Sequence, residues 1–441
     1  MLNIKPPDAA IRIIQTLEAS GHRALLAGGC VRDALLGVQP KDWDIATDAA
    51  PEAVQGRFEK TVAVGAQFGV VRVRVGDQEF EVAQFREDGP YSDGRHPDAV
   101  RSSDEKGDAN RRDFTINGMF YDVSNHELLD YVGGRRDLDA GVIRAIGEPG
   151  LRFGEDHLRM MRAVRFSARF GFSLDPATAA AIEANAGRIG KISPERIRDE
   201  LTTILTRENA DAAFAMLDSS GLLEHVLPEV AAMRGVAQPP EFHPEGDVWT
   251  HVLAMLRIER SASPTLAWGI LLHDAGKPAT YAVTDRIRFN GHDKVGAQMS
   301  ADICERLRMP RAQASRIHEL VANHMRFMHV EKMREARLKR FLREPYFEEL
   351  LELHRIDCLA SHGNLRTHEF CARKLGELHE EALRPLRLLD GHGLMAMGYP
   401  PGPGLGEILA AIEDEQLEGR ISTREEAREF ARRNFPVPEN G

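Results

Sequence analysis

Apolar residues Ile11, Ile14 and Leu17 recur at helical spacing across residues 8–20, and Gly21 closes the run, which predicts a helix. RALLAGG predicts a strand entering a Gly-Gly turn, CVRDALLG a short helix stopped by Gly37, and DWDIAT a second strand. TVAVG, FGVVRVRVG and QEFEVAQF are Val- and Phe-rich, punctuated by glycine, and predict further strands. The first 85 residues therefore read as a small mixed sheet with helices, an α/β head. Residues 87–111 are polar with Gly and Pro and read as a long loop. From about residue 151 helical periodicity dominates. VAQPPEFHPEGD (236–247) reads as a linker or boundary, 250–383 is again helical, and 391–406 is rich in Gly and Pro. A charged helix is predicted over 423–433. The expected organisation is a head over 1–150, a helical neck over 151–235, a helical body over 236–383 and a helical tail over 384–441.

Composition narrows the class. Hydrophobic residues make up 42% and charged residues 28% of the 441, which suits a chain with a buried core rather than a disordered one. Lys plus Arg number 57 against 68 Asp plus Glu, a formal charge of −11 that excludes a uniformly basic coat but not a local basic face. Cys30, Cys304, Cys358 and Cys371 form no CxxC pair, so neither a disulfide scaffold nor a cysteine zinc site is expected. MLNIKPPDAAIRI lacks signal-peptide order, and no apolar run reaches the ~18 residues of a membrane span. A cytoplasmic protein that does not use a membrane is expected; the oligomeric state is not legible.

Candidate chemistry begins with LLAGGCVRDALLG followed by KDWDIAT. Asp42 and Asp44, two apart on a predicted strand, share one face, and converging carboxylates repel unless a cation lies between them. Mg²⁺ takes such carboxylates together with substrate phosphates. Gly28 and Gly29 allow backbone amides close to a phosphate at a helix start, and Arg32 adds a charge-assisted donor. A DxD pair alone is usually a solvated face; the combination within some twenty residues is far more specific. It resembles the active-site signature of the class II nucleotidyltransferases, the group of bacterial CCA-adding tRNA nucleotidyltransferases and poly(A) polymerases. The resemblance implies that Gly28, Gly29 and Arg32 hold a triphosphate, that Asp42 and Asp44 bind Mg²⁺, and that Glu81 is a possible third carboxylate.

Downstream, RRDFTIN carries Arg111, Arg112, Asp113 and Asn117 and is similar to the family's sugar-recognition motif, with Arg112 the expected nucleotide contact and Asp113 and Asn117 available to ribose hydroxyls. DYVGGRRDLDAG resembles the family's hinge motif. In LRFGEDHLRMMRAVRFSARFGF, Arg159, Arg162, Arg165 and Arg169 share a helix face without interleaved acidic partners, a pattern suited to nucleotide or RNA phosphate. Asp156 and Arg159 lie one turn apart, and EDHLR resembles the EDxxR motif, whose Asp and Arg act as a protein template for C and then A. His157 stands where Pro or Ala is usual. SPERIRDEL resembles the helix that supports this neck.

A last group is His251, His273 with Asp274, His292, His324 and Asp357, residue types that suit Mn, Fe, Ni, Zn or Mg and water activation for phosphoester hydrolysis. It resembles the HD phosphohydrolase superfamily, which implies His251, His273, Asp274 and Asp357 as a metal set, with His292 and His324 completing a two-metal version. PPGPGLGEIL mimics a phosphate loop, but Pro403 lacks an amide donor, so it reads as a join between tail helices that touch tRNA.

Together these imply template-independent addition of C and A from CTP and ATP to the tRNA 3′ end with two Mg²⁺, with the acceptor arm as partner. A-only addition and poly(A) synthesis use the same machinery and stay open. VGAQFGVVRV resembles the CCA type rather than the arginine-rich stretch usual in the poly(A) type, and residues 91–110 form a full-length loop, unlike the CC-only type. The competing class is an HD phosphohydrolase, with its own divalent metal, whose head docks RNA.

Overall fold

The computed structural model describes residues 4–63, 69–89, 91, 99–259, 262–378 and 383–437. They form two compact units, 1–231 and 232–441. The division falls at 231/232, four residues before the expected end of the neck at 235.

The first unit is built on a seven-stranded sheet ordered β3-β4-β5-β2-β1-β8-β9. The strands are β1 (Ala24–Ala27), β2 (Ile45–Thr47), β3 (Thr61–Ala63), β4 (Val70–Val75), β5 (Gln78–Gln84), β8 (Met119–Asp122) and β9 (Glu127–Asp130). Within this sheet β2 and β5 run parallel and the other neighbouring strands antiparallel. Helix α1 (Asp8–Glu18) buries Ile13, Ile14 and Leu17, the apolar face its spacing predicts. Helix α2 (Gly29–Leu35) follows β1 directly, and α3 (Pro51–Gln55) leads to β3. The interior strand β1 is buried throughout, as a strand covered on both faces must be.

The segment 87–111 is more ordered than its polarity predicts. Strands β6 (Arg86–Asp88) and β7 (Val100–Ser102) pair antiparallel, and helix α4 (Glu105–Arg111) follows, capped by the Asp104 side chain on Gly107 N. The buried Asp108 rather than an apolar stripe anchors α4, gripping Arg111 and Arg112. Residues 92–98 of the expected loop, and 64–68 of the VGAQFG segment, lie outside the described residues.

Helix α5 (Gly134–Asp139) belongs to the head; the neck comprises α6 (Pro149–Glu155), α7 (Leu158–Phe170), α8 (Pro176–Asn185), α9 (Pro194–Leu205), α10 (Ala210–Ser219), α11 (Leu222–Val226) and α12 (Pro228–Ala231). The arginine segment is not one helix. α6 ends at Asp156, whose φ of −143° is extended, and α7 begins two residues later.

The second unit is helical, with α13 (Val248–Ile258), α14 (Pro264–Leu272), α16 (His292–Arg306), α17 (Arg311–Asn323) and α19 (Phe347–Ala360) around one core, and the shorter α15 (Lys277–Thr280) and α18 (Glu335–Leu342) between them. A two-stranded hairpin, Ala282–Val283 with Ile287–Arg288, interrupts the helical run expected there. Gly276 lets α16 pack on the turn after α14, since a Cβ there would meet the His292 carbonyl oxygen. The predicted last helix is Arg424–Asn434, with a Thr423–Glu426 capping box.

Candidate active site

The first unit holds an open cleft of about 650 Å³. Its floor is the turn between β1 and α2. Gly28 has φ of 71°, and a Cβ there would land on the Arg112 guanidinium, so backbone conformation and space both demand glycine. Asp42 and Asp44 line the same cleft. Both are exposed while Trp43 between them is buried, so the two carboxylates fall on one side. They precede β2 rather than lying within it; hydrogen-bonded pairing starts from the Asp44 carbonyl, which accepts from Ala27 N at 3.0 Å. The Asp44 carboxyl is pushed up to about 6, first by its desolvated setting and then by the charges of Glu81 and Asp42, against the pull of Arg112. Glu81 on β5 is thus near enough to act on Asp44, while its own carboxylate lies 3.5 Å from Arg72.

The remaining predicted residues meet in this cleft: Gly29, Arg32, Arg112, Asp113, Asn117, Asp156, Arg159, Arg162 and Arg165 all line it. Their settings differ from the free cationic face the sequence suggests. Arg32 is 4% exposed, lies over Phe166 and Phe170, and donates to Asp33 and to the Asn117 side-chain oxygen. Asn117 donates to Asp113 at 2.9 Å, and Asp113 accepts two bonds from Arg162. Burial raises the Asp113 pKa, but Arg162 and Asn117 prevail and hold it near about 2. Arg112 donates to Asp108 and to the Asn117 carbonyl.

The arginines of α7 are each paired, with carboxylates mostly from other elements: Arg159 with Glu155 at 2.6 Å, Arg162 with Asp113 at 2.6 Å, Arg165 with Glu200 at 2.5 Å and Arg169 with Asp33 at 3.1 Å. A reading of acidic neighbours along one helix misses such partners, because they are remote in sequence. Asp156 is gripped by both terminal nitrogens of Arg196, at 2.8 and 3.1 Å. Helix α9 therefore supports the cleft through Arg196 and Glu200, neither of which the sequence singled out as a site residue. Asp156 and Arg159 sit on opposite sides of a helix break, and His157 clips that break by bonding the Phe153 carbonyl at 2.6 Å.

A second site lies within the second unit. The ligand atoms of His251, His273 and Asp357 lie within 4.8 Å of one another, as do those of Asp274, His292 and His324. His273, His292 and His324 set Nδ1 against the carbonyls of Ile270, Phe289 and Val321 at 2.8, 2.8 and 2.7 Å. A carbonyl only accepts, so Nδ1 carries the proton and, in the neutral ring, Nε2 presents a lone pair. His292 Nε2 and His324 Nε2 then face each other at 3.1 Å, two acceptors with no donor between them. His251 Nε2 and His273 Nε2 are buried and face only carboxylates, Asp357 Oδ1 and Asp274 Oδ2, each at 3.1 Å. Convergent lone pairs beside Asp274 and Asp357 fit a divalent cation. Lys277, 2.7 Å from Asp274, adds a buried cation that the sequence reading did not mark. Burial and neighbouring charge, His273 first, depress the His324 pKa to about 4. Burial works against a charge on His251, yet Asp357 and Glu245 push it up to about 9.

A nucleotide-transferring head joined to an RNA-binding neck and an HD body is the class these two sites define, and comparison with known proteins agrees. Residues 24–144 match the poly A polymerase head domain, 171–234 the probable RNA and SrmB-binding site of polymerase A, and 248–362 the HD domain. The chain is 33% identical to the A-adding tRNA nucleotidyltransferase of Deinococcus radiodurans, over 93% of this chain and 95% of that one. It is also 33% identical to the CCA-adding enzyme of Geobacillus thermodenitrificans, over 96% of each. The Bacillus stearothermophilus CCA-adding enzyme, solved with CTP, superposes with a TM-score of 0.74 at 28% identity, covering 98% of each chain. The chain belongs to the family of CCA-adding enzymes and poly(A) polymerases. No helix among the described residues is long and apolar enough to cross a membrane.

Proposed function

We propose that this protein adds C, C and A in turn, from CTP and ATP, to the 3′ end of tRNA. The reading is carried by one observation: the paired carboxylates Asp42 and Asp44 and the Asp156–Arg159 pair line a single cleft. Asp42 and Asp44 would hold Mg²⁺, which supplies a lowered pKa for the attacking hydroxyl and charge neutralisation for departing pyrophosphate. Arg112, Arg162 and Arg165 offer donors to the triphosphate, and Arg32, already bonded on several sides, is reached only by exchanging Asp33 or Asn117. Asp156 accepts from an exocyclic amine and Arg159 donates to ring acceptors, a pairing that selects C and A. The test is incubation of tRNA ending before CCA, after the first C and after CC with labelled CTP and ATP, singly and together. Addition of C to the first substrate supports the reading. Addition of A alone, and only after CC, would reassign the chain to A-only addition, the activity named for the Deinococcus radiodurans relative.

The opposed acceptors of His292 and His324 favour a second activity in the HD unit, metal-dependent phosphoester hydrolysis. His251, His273, Asp274 and Asp357 would hold the metal, with His292 and His324 beside Asp274. The metal would supply an activated water. Asp42→Ala should abolish label incorporation and spare hydrolysis of a cyclic or aryl phosphoester. His273→Ala should do the reverse.

A further inference from the structure

Three of the clustered imidazoles are held by neutral backbone carbonyls, but His251 is held differently. Its Nδ1 lies 2.6 Å from Glu245 Oε1, and Glu245 belongs to the segment 236–247 that composition marks as a mere linker. That segment is closed as a loop by an antiparallel bridge between Ala237 and Asp247, with Val248 N bonded to the Val236 carbonyl at 3.0 Å. The same Glu245 oxygen also accepts from His243 Nδ1 at 2.9 Å. His243 packs edge-on to His251, with ring centroids 4.9 Å apart. His251 itself is fully buried, and its other nitrogen lies 3.1 Å from Asp357 Oδ1.

We propose that Glu245 is the positioning carboxylate of the His251–His273–Asp357 pocket, fixing the His251 ring so that Nε2 faces a divalent cation. This rests on the metal-site reading given above. The two nitrogens of one imidazole diverge, so a carboxylate bonded to Nδ1 cannot ligate the ion on Nε2; Glu245 acts through His251. An ionised acceptor on Nδ1 also makes Nε2 a stronger donor than a neutral carbonyl does. The two triads are therefore unequal: the one containing His251 has a charged orienting group, whereas His292 and His324 rely on carbonyls alone.

Co²⁺ titration of the full-length, metal-stripped protein, followed by visible absorption and calorimetry, tests the assignment. Glu245→Gln keeps an acceptor but loses the charge, and Glu245→Ala loses both; His273→Ala removes a ligand. The tighter Co²⁺ dissociation constant should rise about tenfold in Glu245→Gln and about a hundredfold in Glu245→Ala, the range for loss of such partners. A role in loop stability alone would lower the metal-free thermal melts and leave the Co²⁺ dissociation constant at its wild-type value. Wild-type affinity in both glutamate variants overturns the proposal. So does a loss in Glu245→Gln as complete as in His273→Ala, which would make Glu245 a ligand. Wild-type protein that takes up no Co²⁺, with His273→Ala indistinguishable from it, overturns the metal reading itself.

Discussion

Asp44 shares its corner with Asp42 and Glu81, and its pKa near about 6 means that the folded protein holds this proton more tightly than an unfolded chain would. The sign follows from linkage: the folded state is favoured below the normal carboxylate pKa, and that advantage is lost as pH rises through about 6. Without metal, wild-type thermal stability should therefore decline between pH 4 and 6 by a component that Asp44→Asn lacks, with calorimetric scans across that range as the check. The same variant should lose at least ~10³-fold in nucleotide incorporation, since a ligand for the ions is gone. Gly28→Ala combines a positive φ with a clash against Arg112. It should cost about 1–3 kcal/mol in urea melts, the range for a strained backbone position, and displace Arg112 from the cleft. Gly28 and Gly29 were legible from sequence because glycine pairs announce backbone geometry. The partners of Arg32 were not, since Asn117 is bonded across 85 residues of chain.

At the scale of elements, α9 decides how the cleft is held. Its Arg196 forks onto Asp156 and its Glu200 takes Arg165. Arg196→Ala frees the Asp156 carboxylate without removing it. On the proposed reading, single-turnover assays with all four nucleoside triphosphates should show discrimination against UTP and GTP falling about tenfold, one good base contact in energy. Incorporation of CTP should fall less than in Asp156→Ala. The elements that hydrophobic spacing predicts well are those with a single apolar face, such as α1. Those it misreads owe their order to charge. Helix α4 is secured by Asp108, which bonds two arginines from a buried position, and no apolar period records that. The break between α6 and α7 was also invisible, because EDHLR contains neither glycine nor proline.

On the scale of the whole chain, each compact unit carries its own candidate site. The cleft residues lie before residue 231 and the histidine–aspartate cluster after it. Mutations in one should leave the other's substrate affinity unchanged, and paired measurements of CTP binding and Co²⁺ binding on Asp42→Ala and His273→Ala proteins check this. The histidine set was legible because adjacent His and Asp, followed at intervals by further histidines, is a rare arrangement. Glu245 was not, because its segment carries the Pro and Gly of a linker and only the folded loop brings it against His251.

The paired arginines of α7 have one more consequence. Their carboxylates are attached counter-ions, held by the fold rather than condensed from solution. A triphosphate entering the cleft competes with tethered anions, so few salt anions are released into bulk when it binds. The logarithm of CTP affinity should then fall with the logarithm of KCl concentration much less steeply than four bare arginines would require, a slope that titration calorimetry at several ionic strengths measures directly.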